Sequence, residues 1–190
     1  MKSLEEYIEK ASKNGHIRSG MVLGIRLALL GLEEIGIEDP RQHHRSLVVI
    51  VETDRCLPDA IELVTGCRLG NRTLKFKDLG KMAATFLDLG ADHAVRVSTR
   101  EAANQLAQEM FPDLDKDEAL GRAYGALSNT ELFTSQSVHV KLNPEDIPGY
   151  WAPRVICAEC GEGVAFDREL VEDGRTLCRS CAGQRYFEPS

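Results

Sequence analysis

The opening segments of the chain repeat apolar residues at helical spacing. Leu4, Tyr7, Ile8 and Ala11 share one face, which predicts a helix over Leu4–Ala11 that ends at Asn14-Gly15. A second helix is predicted from Ser19 or Gly20 to about Ile35, with Gly36 as its C-cap. Pro40 and the polar run Arg41–Arg45 then form a loop. Leu47–Val51 is an unbroken apolar run rich in β-branched residues and reads as a buried strand. Asp54–Thr65, with Ala60, Ile61, Leu63 and Val64, reads as a third helix. Leu74–Lys77 and Met82–Leu89 read as strands around an Asp78–Gly80 turn, and Ala94–Val97 as a further short strand. Helices are predicted over Thr99–Met110 and Leu114–Leu127, separated by Pro112-Asp113. Ser137–Lys141 alternates apolar and polar residues, as a strand does. Asn143–Pro153 carries three prolines and a glycine and reads as a linker. These elements predict an α+β core, a mainly antiparallel sheet covered by helices, over 1–142. A linker over 143–153 and a small C-terminal ribbon over 154–190 complete the chain.

Composition narrows the function classes. A chain of 190 residues, 43% hydrophobic and 28% charged, suits one globular domain with a small appendage. No apolar run approaches the roughly 18 residues that would span a bilayer. The N-terminal MKSLEEYIEKASKNG has no apolar signal-peptide core, so a cytoplasmic protein with reduced thiols and no membrane partner is expected. The net charge of −7 argues against nucleic acid as a partner, because phosphate contacts need clustered Lys and Arg. In the C-terminal segment Arg154, Arg168, Arg175, Arg179 and Arg185 are offset by Glu159, Glu162, Asp167, Glu169, Glu172 and Asp173.

Cysteine spacing carries the sharpest chemistry. Cys157 and Cys160 form one C-x-x-C pair, Cys178 and Cys181 another, and seventeen residues separate them. That spacing matches a structural zinc site, in which two turns each supply two thiolates to a tetrahedron. Gly161 and Gly163 allow a tight turn after the first pair. Asp173-Gly174 predicts a hairpin turn between Arg168–Val171 and Thr176–Leu177. The alternatives are two disulfides or four free thiols. With few large apolar residues in the ribbon, the metal is expected to supply much of its folding energy.

Between Gly15 and Val97 lie several ordered motifs. They are Gly15-His16 with Gly20 and Gly24-Ile-Arg26; Glu52-Thr-Asp54-Arg55-Cys56 with Asp59-Ala60-Ile61; Thr65-Gly66-Cys67 with Leu69-Gly70; and Asp78-Leu-Gly80-Lys81-Met82-Ala83. In these motifs the chain resembles the E-subunit family of molybdenum/tungsten formylmethanofuran dehydrogenase, many members of which also carry a four-cysteine ribbon. The resemblance implies a subunit- or accessory-like, oxidoreductase-related protein. Its implied partner is a molybdopterin or tungstopterin enzyme of one-carbon chemistry. It also implies a homodimer, and the small residues Gly20, Gly24, Ala28 and Gly31 would permit close helix approach. The family pattern Gly-His-x-Cys-Pro-Gly reads Gly15-His16-Ile17-Arg18-Ser19-Gly20 here, with Arg18 in place of the cysteine.

The resemblance places His16, Cys56 and Cys67 in one cleft, with Asp59 and Lys81 beside them. One His and two Cys would leave a second metal open at a fourth position, as in catalytic zinc sites. Arg18 would repel that cation, or would clamp a carboxylate or phosphate instead. From chemistry alone, Cys56 near a helix start is favoured as an anion, with Asp54 able to cap the helix. About 16 Å of helix axis would separate it from Cys67 unless the chain turns back or two subunits meet. Both cysteines could equally be small buried hydrophobes, and His16 could bond a free helix carbonyl. His43-His44 reads as solvated, and Lys81 either contacts an anion or pairs with Asp78. The rival functions are a stand-alone thiol or metal enzyme acting on a small substrate, and a protein-binding module with a vestigial core site.

Overall fold

The apolar run Leu47–Val51 forms strand β1, second in the five-stranded sheet that organises the N-terminal part of the chain. The computed structural model describes residues 2–12 and 15–188, which divide into two compact units, Met1–Lys141 and Leu142–Ser190. The remaining strands of the sheet are β2 (Leu74–Phe76), β3 (Ala83–Asp88), β4 (His93–Thr99) and β5 (Phe133–Val138). Their order is β2-β1-β3-β4-β5. β1 and β2 run parallel and the other neighbours antiparallel. Six helices accompany them among the described residues: α1 (Leu4–Ala11), α2 (Ser19–Glu34), α3 (Cys56–Thr65), α4 (Ala102–Met110), α5 (Lys116–Ala126) and α6 (Asn129–Leu132). The first unit is thus α+β with a mainly antiparallel sheet. No helix of the described residues is long and apolar enough to cross a membrane.

Three sequence expectations shift. The strand expected at Ser137–Lys141 lies earlier, because pairing with β4, from Thr99 opposite Phe133 to Ala94 opposite Val138, sets its limits. β2 and β3 do not form a hairpin, since β1 lies between them. The Asp78–Gly80 segment instead crosses the end of β1, where Leu79 N–H and Lys81 N–H both donate to the Glu52 carbonyl, at 3.2 and 3.1 Å. Helix α3 starts at Cys56 behind Arg55 and has no side-chain cap, so Asp54 does not serve as one. The expected helix stop at Asn14 lies outside the described residues; Gly15 beyond it has φ +77°.

Period-two alternation puts Val49 of β1, Phe86 of β3 and Val95 of β4 side by side on one face. They join a buried core with Leu23, Ile25, Leu27 and Leu32 of α2 and Leu57 and Ile61 of α3. Glycine is required where α2 meets its neighbours. A Cβ at Gly31 would lie 2.1 Å from a ring carbon of Phe86, and one at Gly24 would lie 2.7 Å from the Ala60 Cβ. The small residues expected to meet a partner helix therefore admit α3 and the sheet of their own chain. Gly20 meets Cys56 and Gly24 meets Ala60, so α2 and α3 run side by side with their N-termini at the same end.

Arg26, within the Gly24-Ile-Arg26 motif, is half-buried and closes the end of α5. It donates from Nη1 to the Tyr124 carbonyl at 2.8 Å and to the Leu127 carbonyl, and from Nη2 to Asn129 Oδ1 at 2.7 Å. A cation there meets the carbonyls that the last helical turn leaves open. Helices α4, α5 and α6 form one long connection between the paired strands β4 and β5. Its base is closed by Arg100 N–H donating to the Leu132 carbonyl at 2.8 Å.

In the second unit two hairpins are set by turn residues. β6 (Val155–Ile156) pairs β7 (Gly163–Val164), and β8 (Leu170–Glu172) pairs β9 (Arg175–Leu177). Asp173 and Gly174 have φ +48° and +75°, the two positive angles that a type I′ turn demands. The proline-rich segment 143–153 belongs to this unit. Arg168 Nη2 donates to Asp146 Oδ1 at 2.7 Å, tying a short 3₁₀ turn at Pro144–Asp146 to the ribbon.

At the end of β1 the apolar run stops at Glu52, whose side chain is only 8% exposed. Arg96 of β4 donates to both its oxygens, Nε to Oε1 at 2.6 Å and Nη2 to Oε2 at 2.8 Å. Those hydrogen bonds hold the Glu52 carboxyl below its ordinary 4.5. A carboxyl depressed on folding contributes stability above its unfolded pKa, and loses that contribution as pH falls through the lower folded value. Glu52→Gln is therefore expected to reduce unfolding stability in urea by about 2–3 kcal/mol at pH 7. The gap to the wild type should narrow progressively as the pH is taken below 4.5. A gap that stays constant with pH would remove the ion pair as its cause.

Candidate metal centre and core cavities

In the ribbon the turn of the first hairpin presents Cys157 and Cys160, and the chain leaving β9 presents Cys178 and Cys181. All are free thiols, and their four sulfurs lie within 4.8 Å of one another. Cys160 Sγ and Cys178 Sγ are 3.9 Å apart. A tetrahedron with Zn–S bonds of ~2.3 Å has edges of about 3.8 Å, so the cluster has the size of a four-thiolate zinc site. Backbone N–H groups face the sulfurs: Cys178 N–H donates to Cys157 Sγ at 3.3 Å and Cys181 N–H to Cys178 Sγ at 3.4 Å. The N–H groups of Cys160, Cys178 and Glu159 lower the Cys157 thiol to about 6. The adjoining Cys178 sulfur, with burial, pushes Cys181 up to about 12. Four sulfurs this close cannot all ionise against one another, and a divalent cation resolves the conflict.

In the first unit the N-termini of α2 and α3 open on a cleft of about 540 Å³. His16, Arg18, Cys56 and Asp59 line it, with Ile17 and Met21 as apolar wall. Arg18 is the N-cap of α2 and Arg55 that of α3, and neither helix has a side-chain cap. Cys56 is half-buried and packs over Gly20, where a Cβ would come within 3.1 Å of the sulfur. The structure thus brings together His16, Cys56 and Asp59. It does not gather them at ligand spacing: among the described residues the ribbon cysteines are the one cluster of three or more His, Cys, Asp or Glu groups close enough to hold a metal.

Cys67 and Lys81 do not line that cleft. Gly66, with φ +76°, ends α3, and the chain turns into the sheet layer. There Cys67 is 4% exposed and its thiol lies 3.7 Å from the Leu47 carbonyl, to which it donates. Burial raises that thiol, which keeps it protonated as a small apolar side chain. The Thr65-Gly66-Cys67 motif is therefore architectural within the chain: Thr65 Oγ1 donates to the Ile61 carbonyl at 2.7 Å and accepts from Cys67 N–H at 3.0 Å. His43 and His44 lie in the loop before β1, His43 against Ser46 at 3.3 Å.

Lys81 lines a second cavity of about 500 Å³ at the end of the sheet. The start of α2, the Gly80–Met82 loop, the end of β4 and the helices α4 and α5 enclose it. Arg96, Thr99, Glu101, Asn104 and Tyr124 contribute its other chemistry. Sequence reasoning did not find this group, because its members come from segments far apart in the chain. The one available signal was Glu52, an acid ending a buried apolar strand.

Residues 14–137 match the family model described as FmdE, molybdenum formylmethanofuran dehydrogenase operon, and the chain belongs to that family. Residues 153–187 match a second model, the prokaryotic dksA/traR C4-type zinc finger. A solved structure from Syntrophus aciditrophicus, an FmdE-like protein related to tungsten formylmethanofuran dehydrogenase, has the same fold. It is 24% identical, covers 98% of this chain and 96% of its own, and gives a TM-score of 0.67. A curated relative from Archaeoglobus fulgidus, described as a probable S-adenosyl-L-methionine-binding protein, is 28% identical over 91% of this chain. This chain spans about half, 51%, of that relative's length. The protein is a zinc-binding, FmdE-like protein with a four-cysteine ribbon.

Replacing Cys157 or Cys178 by Ser is expected to release the zinc and unfold the segment after residue 142 while sparing the sheet of the first unit. Zinc content by plasma emission spectrometry and amide exchange resolved by segment read the two effects. Retained zinc at full stoichiometry would refute the assignment.

Proposed function

We propose that this chain is an accessory protein of molybdenum or tungsten one-carbon oxidoreductase chemistry, in which the ribbon zinc is structural and the core cleft takes a small anion in place of a second metal. Arg18 carries this reading. It stands in the cleft with His16, Cys56 and Asp59, at the uncapped start of α2. A guanidinium and open helix N–H groups favour a carboxylate or phosphate and oppose a bound cation. The partner is a molybdopterin or tungstopterin enzyme, and the chain works in a reducing cytoplasm where the ribbon thiols stay available to zinc. Protein contact is also favoured by the ribbon unit itself, where Trp151 is 76% and Tyr186 95% exposed.

Metal analysis tests the cleft. The wild type is expected to hold one zinc per chain and Arg18→Cys up to two, because the variant removes a repelling cation and adds a thiolate ligand. Two metals in the wild type would overturn the anion reading.

The protein is further proposed to be a two-fold homodimer in solution. With Gly20, Gly24 and Gly31 occupied inside the chain, the interface uses another surface. Light scattering at micromolar concentration is expected to give twice the 21.0 kDa chain mass, and a monomer would remove the claim.

A further inference from the structure

The cavity at the end of the sheet has the chemistry of a binding site, and it draws on different residues from the Arg18 cleft. Its first feature is an unsatisfied polar atom. The Thr99 hydroxyl oxygen is buried and has no hydrogen-bond partner among the described residues, although Thr99 lines the cavity. A hydroxyl left so is unfavourable for the unliganded fold unless something else bonds to it. Its second feature is two sets of charges from separate parts of the fold. From the sheet come Lys81, whose charge reaches Glu52, and Arg96, whose Nε and Nη2 are held by Glu52. The guanidinium nitrogen Nη1 is left for a ligand. From the helical connection come the Glu101 carboxylate and the Asn104–Tyr124 pair, in which the Tyr124 hydroxyl donates to Asn104 Oδ1. Burial and the Glu101 charge push the Tyr124 phenol up, so it stays a neutral donor. Leu23 and Met82 add an apolar wall.

We infer that this cavity binds a small carboxylic acid carrying an amino or hydroxyl group next to the carboxylate and an apolar side chain. The carboxylate meets Lys81 and Arg96 Nη1, the neighbouring N–H or O–H donates to Glu101, and the Thr99 hydroxyl completes the shell. The side chain lies on Leu23 and Met82. Each functional group alone meets half of the polar lining, so a molecule with both should bind much more tightly than either half.

Four probes of one carbon skeleton test this by titration calorimetry on the full zinc-loaded chain: leucine, 2-hydroxyisocaproate, isocaproate and isoamylamine. Leucine or 2-hydroxyisocaproate is expected to bind about 10-fold or more tightly than isocaproate and isoamylamine, and which of the two binds identifies the donor group. Lys81→Ala should weaken that binding about 10-fold. Thr99→Val should weaken it several-fold yet raise the melting temperature of the unliganded protein by ~2–4 °C, because it removes a buried hydroxyl without a partner. A merely structural threonine would not combine those two effects. The inference fails if none of the four probes binds, if isocaproate binds as tightly as leucine and 2-hydroxyisocaproate, or if Thr99→Val lowers the melting temperature. The zinc count per chain is read separately and is unaffected by any of these outcomes.

Discussion

Close approach of α2 to α3 and to the sheet is the constraint from which the first unit is built. Helix axes ordinarily keep 8–10 Å apart, and glycine on the contact face allows the short end of that range. Gly24 lets the Ala60 methyl sit against the α2 backbone, and Gly31 does the same for the Phe86 ring. The pairing also sets the direction of the helices. Because Gly20 meets Cys56 and Gly24 meets Ala60, both helix starts emerge at one end of the sheet. Arg18 and Cys56 reach one cleft through that alignment, although thirty-seven residues lie between them in the chain.

Periodicity made the elements legible, and it did less for their pairing. The core helices and β1 follow the pattern closely, since α2 is apolar on the face that meets the sheet and β1 has no polar residue before Glu52. The neighbours of β1 were not legible. A three-residue strand such as β2 carries too few side chains to declare its partner, and hydrogen bonds to the Glu52 carbonyl decide where the chain goes next. β5 was misplaced because four of its six residues are exposed and polar, so its limits come from β4.

The motifs show the same division between what spacing declares and what only the fold can assign. The four ribbon cysteines are a complete local code, as two short hairpins and two positive φ angles suffice to bring the sulfurs together. The core motifs mix roles that the sequence does not separate. Arg26 and Thr65-Gly66-Cys67 organise helix ends, Glu52 anchors a loop and an arginine, and Cys56 with His16 faces a cleft. Cys67 and Cys56 differ only in the turn that follows each. Gly66 sends one thiol into the core, while the other stays on a helix start that opens to solvent.

The long connection between β4 and β5 divides the second cavity in a way that bears on how such a protein can change. Lys81 and Arg96 belong to the sheet framework, and moving them would disturb the Glu52 anchor. Glu101, Asn104 and Tyr124 belong to a helical insertion whose base is closed by one hydrogen bond from Arg100 to Leu132. Insertions between paired strands tolerate changes of length and sequence far better than the strands themselves. One side of the cavity is thus held constant by the architecture, and the other is free to drift, so related chains could keep a common cationic anchor while diverging in what they read beside it.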